Sequence, residues 1–162
     1  MEKLKGAIIK LLCEDARYTA NQMSKMLGED QEKIEKAVSE LENDGVILKY
    51  TAIINHHEES NKVQALIEVK VAPQKLNGFD SYAQEIYAFP EVVSLYLMSG
   101  GFDLAIFVEG DNLTALSKFV AEKLSVIDGI VGVQTHFILK KYKIEGSITD
   151  KKVENKRQII QA

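Results

Sequence analysis

Leu4, Ala7, Ile8, Leu11 and Leu12 recur at the i, i+3, i+4, i+7, i+8 spacing of one apolar helical stripe, so the chain is predicted to open with an amphipathic helix. A polar turn, Glu14-Asp15-Ala16-Arg17-Tyr18, follows. Thr19 then stands three residues before Gln22, the spacing of a capping box in which each side chain satisfies the other's orphan backbone donor. Met23, Met26 and Leu27 give the next segment an apolar edge of about two turns before Gly28 offers a left-handed stop. Asp30 can cap a third helix with the stripe Ile34, Ala37, Val38 and Leu41, ended by Asn43-Asp44-Gly45. The β-branched run Val46 to Ile54 reads as a strand. Three short helices with a brief second member and a trailing strand predict a winged helix-turn-helix over residues 1–54.

Residues 55–62, NHHEESNK, carry no apolar period and read as a linker. Beyond it Val63, Ala65, Ile67, Val69 and Val71 alternate with Gln64, Glu68 and Lys70, a strand with one buried face that ends at Pro73. Phe79, Tyr82, Ala83, Ile86 and Tyr87 return to the helical period and stop before Pro90. A second strand is predicted over Val92 to Met98, and a third, after Ser99-Gly100-Gly101, over Phe102 to Val108. Asp111 or Asn112 can cap a helix carrying Leu116, Phe119, Val120, Leu124 and Ile127; Gly129 breaks it, and Ile130 to Leu139 is a fourth strand. The order β-α-β-β-α-β over residues 63–145 predicts a ferredoxin-like domain, so the whole chain is α+β. Both helices then cover one face of an antiparallel sheet. The other face, with Leu66, Tyr96 and Ile138, stays open, which favours burial against another copy of the domain. Residues 146–162 read as a polar tail, mobile or docked as a short helix on a neighbouring subunit.

With 162 residues, 46% of them apolar, 27% charged and only two prolines, the composition excludes disordered and fibrous classes. No window approaches the length of apolar sequence a membrane-spanning helix needs, and the N-terminal segment has no small-residue cleavage site, so a cytoplasmic protein without membrane attachment is expected. The single cysteine, Cys13, falls on an apolar helical face and is expected to be a buried, inert thiol. Residues 1–60 hold eight lysines and arginines against twelve acids, whereas the remainder holds twelve of each, so the net charge of −4 belongs to the first third. That sign is opposite to the basic face of a typical duplex-binding module.

Enzyme chemistry finds little support. His56 and His57 are neighbours in an extended linker, where successive side chains point apart, so no metal site is expected there. The third histidine, His136, is remote in sequence. No nucleophile elbow, phosphate-binding loop or dinucleotide glycine fingerprint occurs, and no cofactor is expected.

Particular stretches carry a resemblance to a known family. Leu11-Leu12-Cys13-Glu14-Asp15-Ala16-Arg17, Leu41-Glu42-Asn43-Asp44-Gly45-Val46-Ile47, Phe89-Pro90-Glu91-Val92, Ser99-Gly100-Gly101-Phe102-Asp103-Leu104 and Asp128-Gly129-Ile130 occur in order across both predicted domains. Together they resemble the leucine-responsive or asparagine-type (Lrp/AsnC) regulators, over nearly the whole chain to about Glu145. The resemblance implies a sequence-specific transcriptional regulator whose second, ACT-like domain oligomerises and senses an amino acid or related metabolite. Operator contacts are then expected from Gln31, Lys33 and Lys36 at the start of the third helix, with Arg17, Tyr18, Lys25 and Lys49 reaching phosphates. The chain departs from the family pattern where Arg is replaced by Ala37 and Glu40, and segment 29–44 holds two lysines against seven acids. Acids at a helix start favour its dipole, while the others lower affinity for phosphates.

The family's small-molecule pocket forms at the hairpin matching Gly100, Gly101, Phe102 and Asp103, lined from a neighbour by the strand matching Val133 to Thr135. Val133 stands where the family often has a hydroxyl, so a pocket that is more apolar, less polar-lined or unused is expected. Glycines let backbone N–H groups approach a carboxylate, and a carboxylate such as Asp103 can pair with an ammonium, which suits an α-amino acid. A hairpin that needs Gly and Asp only to turn is the alternative. On the first reading Thr135 and His136 of a neighbouring subunit complete the site, and Asp103→Ala leaves the fold intact. A homodimer or higher homo-oligomer, an octamer included, is expected; the competing function is an oligomeric amino-acid-sensing scaffold that has lost effective DNA binding.

Overall fold

The computed structural model describes residues 2–54, 62–72 and 78–149. All of the expected linker except Lys62, with His56 and His57, lies outside the described residues, as does the tail beyond Thr149. Two compact units divide the chain between Ile54 and Asn55.

The first unit comprises α1 (Glu2–Glu14), α2 (Ala20–Leu27) and α3 (Gln31–Asn43). Their stripes meet in a core of Ile8, Met23, Ile34, Ala37 and Leu41, with Leu4, Leu11, Leu12, Tyr18 and Ile47 packed around it. The capping box forms in both directions: Thr19 N–H donates to Gln22 Oε1 at 2.9 Å, and Gln22 N–H to Thr19 Oγ1 at 3.3 Å. Gly28 ends α2 at φ +68°, its N–H donating to the Ser24 carbonyl at 2.9 Å. Asp30 occupies the cap position of α3 without capping through its side chain; its carboxylate lies 3.5 Å from Lys33 Nζ instead. At the other end Gly45, φ +68°, lets the Val46 and Ile47 N–H groups return to the Leu41 carbonyl at 2.9 and 3.0 Å.

Three expectations for this unit are corrected. No strand forms over Val46 to Ile54: a strand needs a ladder partner, and the described residues of this chain provide none, so Leu48 is 88% exposed. Cys13 is exposed rather than buried, because it stands five residues, about 140° of helix, from Ile8 at the core centre. Met26, placed on the apolar edge of α2, is exposed too, while Ala20, Met23 and Leu27 turn inward.

The second unit contains β1 (Val63–Val71), α4 (Gly78–Tyr87), β2 (Val92–Leu97), β3 (Leu104–Gly110), α5 (Leu113–Lys118), β4 (Ile130–Phe137), β5 (Lys143–Ile144) and β6 (Ser147–Ile148). The four long strands pair antiparallel in the order β2-β3-β1-β4. Ala65, Ile67 and Val69 of β1 stand opposite Val108, Ile106 and Leu104 of β3, and this row packs on Tyr82, Ile86, Leu116, Phe119 and Leu124 from the helices. By alternation Gln64, Leu66, Glu68 and Lys70 occupy the other face, with Phe107 opposite Leu66 and His136 on its other side. Tyr96 and Phe107 meet there edge to face, 6.1 Å between centroids.

β2 stops one residue before the expected Met98, β3 starts and ends two residues later than predicted, and β4 ends two residues short of Leu139. The Asn112 side chain caps α5, its Oδ1 accepting from Ala115 N–H at 2.9 Å. The helix then widens into a π-type turn over Phe119–Leu124. Five residues apart, Phe119 and Leu124 would diverge by about 140° on an α-helix; the wider turn lets both be buried.

Local structure continues past the predicted boundary at 145. β5 and β6 form a small hairpin across it, turning at Glu145 (φ +43°) and Gly146 (φ +84°). Thr149 closes this hairpin by donating its N–H to the Tyr142 carbonyl and its hydroxyl to the Lys141 carbonyl.

Candidate functional site

In the helical unit the candidate polar residues fall into two groups. Arg17 is bound to Asp15, through Nε at 2.9 Å and Nη2 at 2.7 Å, and this guanidinium lowers the Asp15 carboxyl to about 2. Because the folded value lies below the ordinary one, the pair supports the turn at neutral pH and is lost as pH falls toward 2. Lys33 lies 3.3 Å from Glu29 and 3.5 Å from Asp30, with its ammonium held above the usual lysine range by Glu29 first. Gln31 donates to Glu35 at 2.7 Å and accepts from Asn21 at 3.1 Å, joining α2 to α3. Tyr18 is half-buried against the helical core. Lys25, Lys36 and Lys49 are exposed and have no ion-pair partner among the described residues.

Neither departure from the family's arginines faces solvent freely. Ala37 is buried between helices, and Glu40 accepts an ion pair from Lys5 of α1 at 2.8 Å, which lowers its carboxyl. Glu40 therefore ties α1 to α3, and its negative charge is offset locally. Lys5 lies 3.6 Å from Asp44 as well.

In the sheet unit Gly100 (φ +150°) and Gly101 are exposed, and a Cβ on either would meet no neighbour. Asp103 is committed structurally. Its N–H donates to the Val69 carbonyl at 2.9 Å, its carbonyl accepts from Met98 N–H at 2.8 Å, and its Oδ2 accepts from Val71 N–H at 2.9 Å. That last bond secures β1 where the register slips between Lys70 and Val71. Asp103→Ala is expected to leave the fold in place at a cost: alanine orphans the Val71 donor and should lose about 1–3 kcal/mol of stability. Asp103→Asn keeps an acceptor and should retain most of that stability. Urea unfolding of the two variants side by side checks this, and equal losses would refute it.

Thr135 and His136 face opposite sides of the sheet. Thr135 lies opposite the buried Ile67, whereas His136 is on the open face with Nε2 3.3 Å from Glu68 Oε1. Phe102 lines a cavity of about 230 Å³ with Glu68, Lys70, Gly132, Val133 and Gln134. Glu68 and Lys70, which line this cavity, were not singled out in the sequence, although the alternation of β1 already placed both on the open face. Among the described residues no group of histidine, cysteine and carboxylate side chains could hold a metal ion, and no helix is long and apolar enough to cross a membrane.

Residues 64–148 match the family model of the Lrp/AsnC ligand binding domain. YugG of Bacillus subtilis, named an uncharacterised HTH-type transcriptional regulator, is 37% identical over 94% of this chain and 93% of its own. A Pyrococcus horikoshii protein with the same kind of name, PH0140, is 30% identical over 85% of both chains. Among solved structures, AsnC of Escherichia coli superposes with a TM-score of 0.70 at 21% identity, covering 89% of this chain and 95% of its own. A Neisseria meningitidis transcriptional regulator, solved as a complex with L-Met, gives 0.71 at 24% identity over 91% and 96%. At those identities the structures establish a shared fold. The two-unit α+β architecture, the match across the sheet unit and the near full-length relatives together make this chain a member of the Lrp/AsnC family, a transcriptional regulator rather than an enzyme.

Proposed function

We propose that this regulator acts in the cytoplasm by binding double-stranded operator DNA through the α2–α3 helix-turn-helix, and that its sheet unit, residues 63–145 with the hairpin to Thr149, oligomerises and binds an amino acid or related carboxylate. The observation that carries the DNA reading is the helix-turn-helix itself, with a fully formed capping box and Lys36 exposed and unpaired on α3 among the described residues. Gln31, Lys33 and Lys36 take the base edges, while Arg17, Tyr18, Lys25 and Lys49 position the phosphates. Bases and phosphates then compete with Glu35, Glu29 and Asp15 for Gln31, Lys33 and Arg17, which lowers affinity and makes it salt-sensitive.

The same competition favours one second reading, an amino-acid-sensing scaffold without effective DNA binding. Electrophoretic mobility shift with the gene's own upstream region, at low and at moderate salt, separates the two. A specific complex at low salt that weakens at moderate salt is expected; no complex at either would leave the scaffold.

The effector reading draws on the hairpin at Gly100 to Asp103, the adjacent cavity, and the L-Met bound by the Neisseria regulator of similar fold. The oligomer reading draws on the open sheet face, where, among the described residues, Tyr96, Phe107 and Ile138 have only the segment Lys141 to Glu145 beside them and no helix over them. A fragment of residues 62–149 is therefore expected to sediment as a dimer or larger species at micromolar concentration. Sedimentation as a monomer alone would contradict assembly through that face.

A further inference from the structure

Gln31, the first residue of α3, makes two side-chain hydrogen bonds that fix which way its amide faces. Its Nε2 donates to Glu35 Oε1 at 2.7 Å, and its Oε1 accepts from Asn21 Nδ2, across the turn on α2, at 3.1 Å. A carboxylate only accepts, so the nitrogen of the Gln31 amide must lie on the Glu35 side and the oxygen on the Asn21 side. All three side chains are exposed, and none of them has a further partner among the described residues. The first turn of a recognition helix is the part that reaches base edges, so this network stands where a base is read.

A side-chain amide carries two N–H donors and an oxygen with two acceptor positions. Glu35 and Asn21 take one of each, which leaves Gln31 one donor and one acceptor. That pair complements the N7 acceptor and N6 donor that adenine presents in the major groove. Guanine presents two acceptors, N7 and O6, and meets only one free donor unless Glu35 is given up. Held from two sides, the amide is turned before DNA arrives, so less freedom is lost on binding. Glu35 is thus a source of choice between bases as well as a competitor for Gln31. We propose that Gln31 reads the adenine of an A·T pair, and that Asn21 and Glu35 are positioning residues that set its amide for that base. This inference rests on the DNA reading of the α2–α3 helix-turn-helix and deepens it by naming the base and the two residues that select it.

The test selects duplexes from a library with a randomised segment, using the full-length chain and its variants, and compares the enriched motifs. Wild type is expected to favour adenine over guanine about ten- to a hundredfold at one position of each half-site, and Gln31→Ala to lose that preference at that position alone. Asn21→Asp keeps the size of the side chain and places an acid favourably at a helix start, but supplies no donor when ionised. It should lower the adenine-to-guanine ratio at the same position about tenfold. Glu35→Ala should do likewise, while Glu35→Gln, whose amide oxygen still accepts, should keep the ratio. Thermal unfolding of all four variants should match wild type, because the altered side chains are exposed. Lower stability, or lower affinity for every sequence, with the base ratio unchanged would make the network a tie between α2 and α3 and overturn the inference. A guanine preference at that position would overturn it too. If wild type and Gln31→Ala select the same motif, or bind without sequence preference, Gln31 reads no base and this inference falls while DNA binding stands. If wild type enriches no duplex, both fall.

Discussion

Gly129→Ala should destabilise the sheet unit by about 3–5 kcal/mol, the largest single effect expected outside the deep core. Gly129 adopts φ +88°, where an L side chain costs about 1–2 kcal/mol, and the added Cβ would lie 2.2 Å from Tyr82 Oη. Tyr82 cannot swing away cheaply: it is 6% exposed, inside the core, and its hydroxyl donates to the Ala72 carbonyl at 3.3 Å. The Gly129 carbonyl in turn accepts from Ala72 N–H at 2.8 Å, so a shift of this backbone disturbs the end of β1 and the start of β4. Overpacking of about 1–3 kcal/mol and a weakened hydrogen bond add to the conformational cost. Gly101→Ala, with open space around it and no positive φ, should change stability by less than about 0.5 kcal/mol. Urea unfolding of the two variants measures the contrast; a Gly129→Ala loss below about 1 kcal/mol would contradict the packing described.

Lys36→Glu should reduce operator affinity by at least about a hundredfold. A cationic contact to a base edge or phosphate contributes about 1–3 kcal/mol, a symmetric dimer makes it twice, and reversal adds repulsion from the duplex. The neighbourhood amplifies the effect: with Lys33 shared between Glu29 and Asp30, Lys36 is the unpaired cation of α3 among the described residues. Lys156→Glu, in the tail outside the described residues, should change affinity by less than about threefold, a difference typical of one distant solvated charge. Anisotropy titrations at fixed salt compare them, and equal losses would assign the binding to the tail.

The helices and long strands were legible because each has a strong period and a chemical stop, as with Thr19 and Gln22 at one end of α2 and Gly28 at the other. What was not legible depends on partners that a local window does not contain. Val46 to Ile54 has every β-forming residue a strand could want and no ladder partner among the described residues of its chain. Residues 146–162 read as a polar tail, yet Glu145 and Gly146 bend Lys143 to Ile148 into a hairpin held by Thr149. Cys13 shows the limit of a stripe read by eye, since a helix edge drifts off the core within two turns. At the candidate site the hairpin position was visible, but the employment of Asp103 was not: its acceptor role toward Val71 arises from a register slip in another strand. Thr135 and His136 were placed together at the site through the resemblance, and strand alternation puts them on opposite faces.

Regulation by this chain requires that one free energy connect the two units. Linkage makes any effect of an amino acid on DNA affinity equal to the effect of DNA on amino-acid affinity. The most direct measurement is therefore the operator dissociation constant, by fluorescence anisotropy at one salt concentration, without and with a saturating amount of the amino acid that most stabilises the protein. A change of about 5- to 150-fold in either direction is the predicted result. Tight operator binding that is identical with and without the amino acid, or no operator binding under either condition, would contradict the account.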